Sequence, residues 1–283
     1  MAALRMGAVA YDPKVVTIWE GFRDWFAAND LDFDYVLYSN YERQVEALLA
    51  GEVDVAWNSP LAWVRARRLA GLRGPNAIAR VEAVAMRDTD RDLTSVVIVL
   101  DDSVIDSVAD LAGRRVGVGA VDSPQATLIP LWHLGQEGAQ EVEVVHHDIG
   151  VGKHGDHIGG EREAALALLA GRVDAACMID GNHLAFSREG TLAPGRTRIL
   201  TETPPFDHCN FTVRERTEEI DRFRALLLSM SYEDPAVRPL LDMEGLTAWC
   251  DGRTSGYGPL EAAVTERGFY AEDGAVTAAG YRP

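Results

Sequence analysis

Between residues 146 and 161 the chain reads HHDIGVGKHGDHIGGE, and four of its seven histidines (His146, His147, His154 and His157) fall in that stretch. They are interleaved with Asp148, Asp156 and Glu161 and with Lys153, one of only two lysines among 27 basic residues. Imidazole and carboxylate together are preferred ligands of zinc, iron, manganese and related ions. His146, His147, His154 and His157 are therefore candidate ligands of a divalent transition metal. The same stretch supports a second chemistry, in which Lys153 and neighbouring imidazoles donate hydrogen bonds to an anion or polar ligand, and a third reading is a solvated loop. Gly150, Gly152, Gly155, Gly159 and Gly160 allow tight folding or close approach to a ligand. They also favour a loop, so the spacing of His154 and His157 does not by itself define a helical face.

Other reactive groups lie elsewhere. A lysine in a dry cleft can lose its proton and form an imine with an aldehyde such as pyridoxal phosphate. Lys153, His154, His157 and Cys209 are accordingly the catalytic candidates if the protein is an enzyme. His208 and Cys209 sit in PPFDHCNF, and Asp180, with Asn182 and His183, follows the apolar run 173–179 at its carboxyl end.

A different kind of site is written in residues 117–134, GVGAVDSPQATLIPLWHL. A short apolar strand runs into a turn in which Ser123 precedes Pro124, the arrangement of an N-cap and first helical residue. A helix begun there directs unpaired N–H groups and the positive end of its dipole beyond the strand, where an anion can bind. The same order recurs at Asn40/Tyr41 and at Ser59/Pro60. In a parallel α/β sheet such turns share the carboxyl edge of the strands, where ligands bind.

The elements that must position these groups follow from periodicity. Strands are expected at 4–10, 33–39, 53–57, 115–119, 141–145, 173–179, 198–203 and 211–213. Helices are expected at 15–29, 41–51, 61–70, 107–114, from Ser123, and at 162–171. Residues 77–86 and 94–100 read as a paired passage around RDTDRD, and 215–268 as helical. EALLAGEVDVAW (46–57) and LALLAGRVDAAC (166–177) nearly repeat: each is a helix closed by glycine and followed by a strand beginning Val-Asp. This implies two similarly built α/β lobes with mixed sheets flanked by helices. Residues 1–98 and 202–283 form lobe 1 and 99–201 lobe 2, joined by a two-segment hinge with the ligand cleft between them.

Composition narrows the partners. A formal net charge of −17 over 283 residues argues against nucleic acid and for an anion site made locally by dipoles and a few cations. No apolar run approaches the roughly 20 residues of a membrane span. Three widely spaced cysteines suit a reducing compartment better than a disulfide framework. The start, MAALRMGAVAYDP, contains no export signal. A cytoplasmic protein is the expectation, or a periplasmic or extracellular one if a signal has been removed.

YERQVEALLAGEVDVAWNSPLAW, DLAGRRVGVGAVDSPQATLIPLWHL and EREAALALLAGRVDAA, followed by TETPPFDHCNFTV, resemble in order and spacing the phosphonate/phosphate-type solute-binding proteins of ABC transporters. That resemblance implies the type 2 periplasmic-binding-protein fold, a small anionic or polar ligand, and an ABC permease as partner if the protein is exported. It also implies an oxyanion held at Ser123, Gln125, Ala126 and Thr127 of one turn and Asn58 and Ser59 of the other, with Tyr11 and Tyr41 lining the cleft. Where the family often carries a Ser/Thr cluster at the second-lobe turn, this chain has Pro124 and Gln125. The alternative is a cytoplasmic enzyme on the same fold, with a His/Lys/Cys-lined cleft and a metal or a pyridoxal-type substrate.

Overall fold

The computed structural model describes residues 3–72, 80–154 and 158–283. Among them, one sheet has six strands in the order β11 (Trp249–Asp251), β4 (Glu82–Arg87), β10 (Asn210–Val213), β3 (Val55–Asn58), β1 (Leu4–Val9), β2 (Phe33–Tyr38). The other has five, in the order β7 (Glu143–His146), β6 (Arg115–Val118), β8 (Ala175–Ile179), β5 (Ser95–Leu100), β9 (Thr197–Glu202). Both are mixed. β1 pairs in parallel with β2 and β3, as β6 does with β7 and β8, whereas β10 and β5 run antiparallel to their neighbours. β10 and β5 are each the strand that arrives from the opposite lobe, and β11 also pairs antiparallel, with β4.

The near-repeat is a structural repeat. Helix α2 (Tyr41–Ala50) and helix α5 (Ile158–Leu169) are each followed by a left-handed glycine, Gly51 (φ 77°) and Gly171 (φ 68°). The next residue in each case returns its N–H to a helix carbonyl, Glu52 to Ala47 and Arg172 to Ala167, both at 2.9 Å. The aspartate of each Val-Asp then locks the following strand to a parallel neighbour, β1 in one lobe and β6 in the other. Asp54 donates its N–H to the Arg5 carbonyl and accepts the Arg5 N–H, each at 2.8 Å. Asp174 does the same with Arg115, at 2.7 and 2.9 Å.

Amphipathic α1 (Lys14–Ala28) buries Val15, Ile18, Trp19, Phe22 and Phe26, as its 3.6-residue period requires. They meet Phe33, Trp57, Phe211, Phe223 and Trp249 in an aromatic core on one face of the first sheet. Helix α3 (Pro60–Ala70) packs on the opposite face around Trp63. In the second lobe α5 and α6 (Asp180–Glu189) cover one face, and α4 (Ile129–Gln136) the other.

Several expected elements differ. Residues 82–87 and 95–100 do not pair with each other; they belong to separate sheets, because the chain changes lobe between them. That change precedes Ser95, so the boundary expected at 98/99 falls inside β5. Residues 107–114 contain only a 3₁₀ turn, Val108–Leu111, and the helix after Ser123 opens with a π-type turn, Pro124–Leu128. The tail expected to be helical contains α7 (Glu218–Ser229), α8 (Arg238–Glu244), strand β11 and α9 (Gly258–Glu266). Helix α9 packs on both α3 and α4, so it touches both lobes instead of the first alone.

Two crossing segments join the lobes and are bonded to each other, Leu93 and Phe206 exchanging both N–H groups at 2.8 Å. Beside them Asp207, fully buried, accepts from Arg253 Nε at 2.7 Å and Nη2 at 2.6 Å and from the Asp92 N–H at 3.2 Å. Gly256 accepts the Asp207 N–H at 2.9 Å, and a Cβ on Gly256 would lie 2.1 Å from Asp207 Cγ. Gly256→Ala is therefore expected to displace the Asp207–Arg253 pair and cost about 2 kcal/mol in urea unfolding; an unchanged midpoint would contradict this packing.

Candidate functional site

Between the lobes is a cleft of about 150 Å³ lined by Tyr11, Lys14, Tyr41, Trp57, Ser59 and Arg87 from the first lobe, Lys153 and His154 from the second, and His208, Cys209 and Glu244. Both lysines of the chain thus border one small cavity, joined by the Arg87 guanidinium. Glu244 borders the same cavity and Arg87 is paired with Asp90 and Glu244, so in a protein carrying −17 overall the positive character of this corner rests on the two lysines.

The caps read from the sequence are made. Asn40 accepts the Arg43 N–H at 2.9 Å, Ser59 that of Ala62 at 3.1 Å, and Ser123 that of Ala126 at 3.2 Å. Each such cap is worth about 1 kcal/mol. The two cleft turns do face one region, but they are bridged by the protein itself. Asp122 Oδ2 accepts the N–H groups of Gly152 at 2.7 Å and His154 at 3.1 Å. The His154 ring then enters the first lobe, fully buried, with Nδ1 2.9 Å from Ser59 Oγ and Nε2 2.5 Å from the Tyr281 hydroxyl. It stacks on Tyr41, centroids 4.8 Å apart, and Nε2 lies 3.4 Å from Glu42 Oε1. Burial alone would raise the Glu42 pKa, but the hydrogen bond and charge of His154 and the Tyr270 hydroxyl override it and hold the carboxyl at about 2.

The second-lobe turn is more enclosed than expected. Ser123, Gln125, Ala126 and Thr127 are buried and do not line the cleft. The Thr127 hydroxyl donates to the Ala120 carbonyl at 2.8 Å, and Gln125 Nε2 donates to Glu161 Oε1 at 3.3 Å. Glu161, also buried, accepts from Ile179 N at 3.0 Å and Asn182 Nδ2 at 2.8 Å. Burial pushes its carboxyl up to about 7 against the pull of those three donors. An acid behind this turn opposes an anion in front of it whenever it is ionised.

Of the residues expected at the ligand, Tyr11, Tyr41, Ser59, Lys153 and His208 border the cleft, as do the catalytic candidates His154 and Cys209. Asn58 does not: its amide accepts from Gln44 at 2.8 Å and donates to the Thr212 hydroxyl at 2.9 Å inside the first lobe. Asp180 is exposed at the start of α6, its carboxylate turned back onto the Gly181 N–H at 2.6 Å. His157 lies outside the described residues. The described histidines of the 146–157 run do not gather. His146 Nδ1 is 3.2 Å from the Gly119 carbonyl and His147 Nδ1 3.0 Å from that of Val118, so backbone acceptors orient both rings, while His154 is drawn into the other lobe. Lys14, Arg87, Glu42, Glu244 and Tyr281 were missed. Lys14 carried a signal, as the second lysine; the others are distant in sequence and ordinary in type.

Two lobes, two crossing segments and an interlobe cleft define the architecture of solute-binding proteins. The profile of the family described as "ABC transporter, phosphonate, periplasmic substrate-binding protein" matches residues 8–257, and the chain belongs to that family. A "Probable ABC transporter phosphite binding protein PhnD1" of Prochlorococcus marinus (strain MIT 9301) is 28% identical over 248 residues, covering 82% of this chain and 77% of the relative. The structure of PhnD1 from Prochlorococcus marinus (MIT 9301) in complex with methylphosphonate has a TM-score of 0.62 at 18% identity, covering 93% of this chain and 97% of that one. XAC2383 from Xanthomonas citri bound to ATP has a TM-score of 0.69 at 15% identity, covering 94% and 98%. The fold is thus that of the type 2 periplasmic binding proteins, as the three motifs implied. Family membership supports solute binding over the enzyme alternative, and it gives no support to a cytoplasmic location. No described helix is long and apolar enough to cross a membrane.

Two outcomes follow from this geometry. A carboxyl whose folded pKa exceeds its unfolded value of about 4.3 loses stability as pH rises from there through 7, because the folded state holds the proton longer. Glu161→Gln, which cannot ionise, is expected to gain on the wild type between about pH 5 and about pH 8, by on the order of 2 kcal/mol. Parallel melting curves for the two proteins over that range would contradict the assignment. His154→Ala removes a fully buried ring and its partners across the lobes. It is expected to cost about 3 kcal/mol and to enlarge the radius of gyration in X-ray scattering; unchanged values of both would mean that the ring does not hold the lobes together.

Proposed function

We propose that the protein is the solute receptor of an ABC importer, working on the periplasmic side of the membrane, and that it captures a compact oxyanion of the phosphonate or phosphite class in the interlobe cleft. The observation that carries this reading is the meeting of Lys14, Lys153 and Arg87 around one cavity in a strongly acidic chain. A volume of about 150 Å³ is below the range typical of drug-sized ligands, which favours a small solute. The first lobe offers Lys14 and Arg87, with Tyr11 and Tyr41 lining the same wall, and the second brings Lys153 across. An oxyanion bound to both sides favours the closed arrangement because it gains contacts there that the open one lacks. Arg87 is itself held by Asp90 and Glu244, so its guanidinium is oriented before any solute arrives.

Titration calorimetry with methylphosphonate, phosphite and inorganic phosphate tests the proposal. At least one is expected to bind, and Lys14→Ala and Lys153→Ala are each expected to weaken it about 10-fold, as for the loss of a charge-assisted hydrogen bond. Affinity should also fall with added salt, since exposed charges are screened. Heat from none of the three anions, or equal affinity in the Lys14→Ala/Lys153→Ala double variant, would overturn it.

A further inference from the structure

We propose that the hinge carries a transition-metal site formed by Asp90, His208 and Cys209, which takes a borderline-soft divalent ion of the zinc type. Among the described residues this is the group whose donor atoms all lie within 4.8 Å of one another. His208 Nδ1 is 3.1 Å from Cys209 Sγ and 3.5 Å from Asp90 Oδ1. A tetrahedral ion with bonds of about 2.0–2.3 Å separates its ligands by about 3.3–3.8 Å, so two edges of the coordination triangle are already near their final lengths. One oxygen, one imidazole nitrogen and one thiolate make a donor set that zinc accepts and that magnesium or calcium does not.

The scaffold under these atoms is rigid. Asp90 stands on the first crossing segment and His208 and Cys209 on the second, and the two are tied by His208 N donating to the Asp90 carbonyl at 2.8 Å and Cys209 N donating to Asp90 Oδ1 at 3.2 Å. Arg87 sits on the same carboxylate, with Nε 2.5 Å from Oδ2 and Nη2 2.9 Å from Oδ1. Its charge is offset in turn by Glu244, whose carboxylate is 3.4 Å from Nη1. With the thiol deprotonated, the ion's two positive charges and that of Arg87 are balanced by Asp90, Glu244 and Cys209. Metal entry forms the sulfur–metal bond as the Cys209 proton leaves to solvent, displaces Arg87 Nη2 from Oδ1, and involves no change of oxidation state.

His208 and Cys209 both border the cleft, so the fourth coordination position opens toward it, the arrangement of a metal that keeps an exchangeable ligand. The described histidines of the 146–157 run, His146, His147 and His154, are not among its donors. The proposal is also independent of which solute the cleft binds, and its readouts are those of the metal.

The test uses the full chain stripped with a chelator and titrated with Co²⁺ and then Zn²⁺. Stoichiometric uptake is expected, with a sulfur-to-cobalt charge-transfer band that Zn²⁺ abolishes. Alkylation of Cys209, located by peptide mass spectrometry, should be slowed by Zn²⁺ in the unmodified protein, a readout that needs no variant to fold. Cys209→Ser and Asp90→Asn are each expected to lower Zn²⁺ affinity by at least about 10-fold, whereas His146→Ala/His147→Ala leaves it unchanged. Absence of the thiolate band together with unprotected Cys209 would overturn the proposal, and so would Zn²⁺ binding that survives Cys209→Ser or depends on His146 and His147.

Discussion

A buried imidazole has to satisfy two ring nitrogens, and His154 does so by reaching out of its own lobe. Its Nδ1 meets the hydroxyl that caps α3, its Nε2 meets Tyr281 from the end of the chain, and its ring lies on Tyr41. The backbone behind it is anchored to Asp122, next to the second capping serine. Four stretches distant in sequence therefore converge on this residue, three on its ring and one on its backbone. It links the Asp122 turn to the Ser59 turn, alongside the packing of α9 on both α3 and α4.

That bridge changes what the helix beginnings do. Simple anion binding at a helix terminus needs N–H groups left open toward the ligand. Here the terminus at Ser59 is satisfied by its own cap with His154 over it, and the turn at Ser123 is buried with Gln125 leaning on Glu161. In the proposed function, attraction for an anion therefore comes from side chains at the cleft, Lys14, Lys153 and Arg87, and not from backbone dipoles. The Arg87–Asp90–Glu244 chain fixes one of these cleft-lining side chains next to the crossing segments.

Much of the fold was legible because it is local. The helix-Gly-Val-Asp unit closes its glycine and returns the next N–H locally, twice over, and in each lobe its aspartate then bonds to a parallel neighbouring strand. The α1 stripe and the three caps are equally short-range. What misled was also local evidence stretched too far. Residues 82–87 and 95–100 are close in sequence and both apolar, so they read as partners, yet the hinge between them sends each to a different sheet. The density of histidines suggested a shared ligand, but carbonyls of β6 and Gly119 claim two rings and the opposite lobe claims a third.

By itself the sequence determined the two-lobe α/β plan, its repeat and the positions of the capped turns, since these follow from periodicity and turn chemistry within a few residues. Only the tertiary structure decided which side chains share the cleft, that Asn58 and Asp180 do not, and that Arg87, Glu42, Glu244 and Tyr281 belong with Lys153 and His154. The physical reason is that burial, ion pairing and cleft lining are set by contacts between residues up to 239 positions apart, such as Tyr281 and Glu42, and no local pattern encodes such a pair.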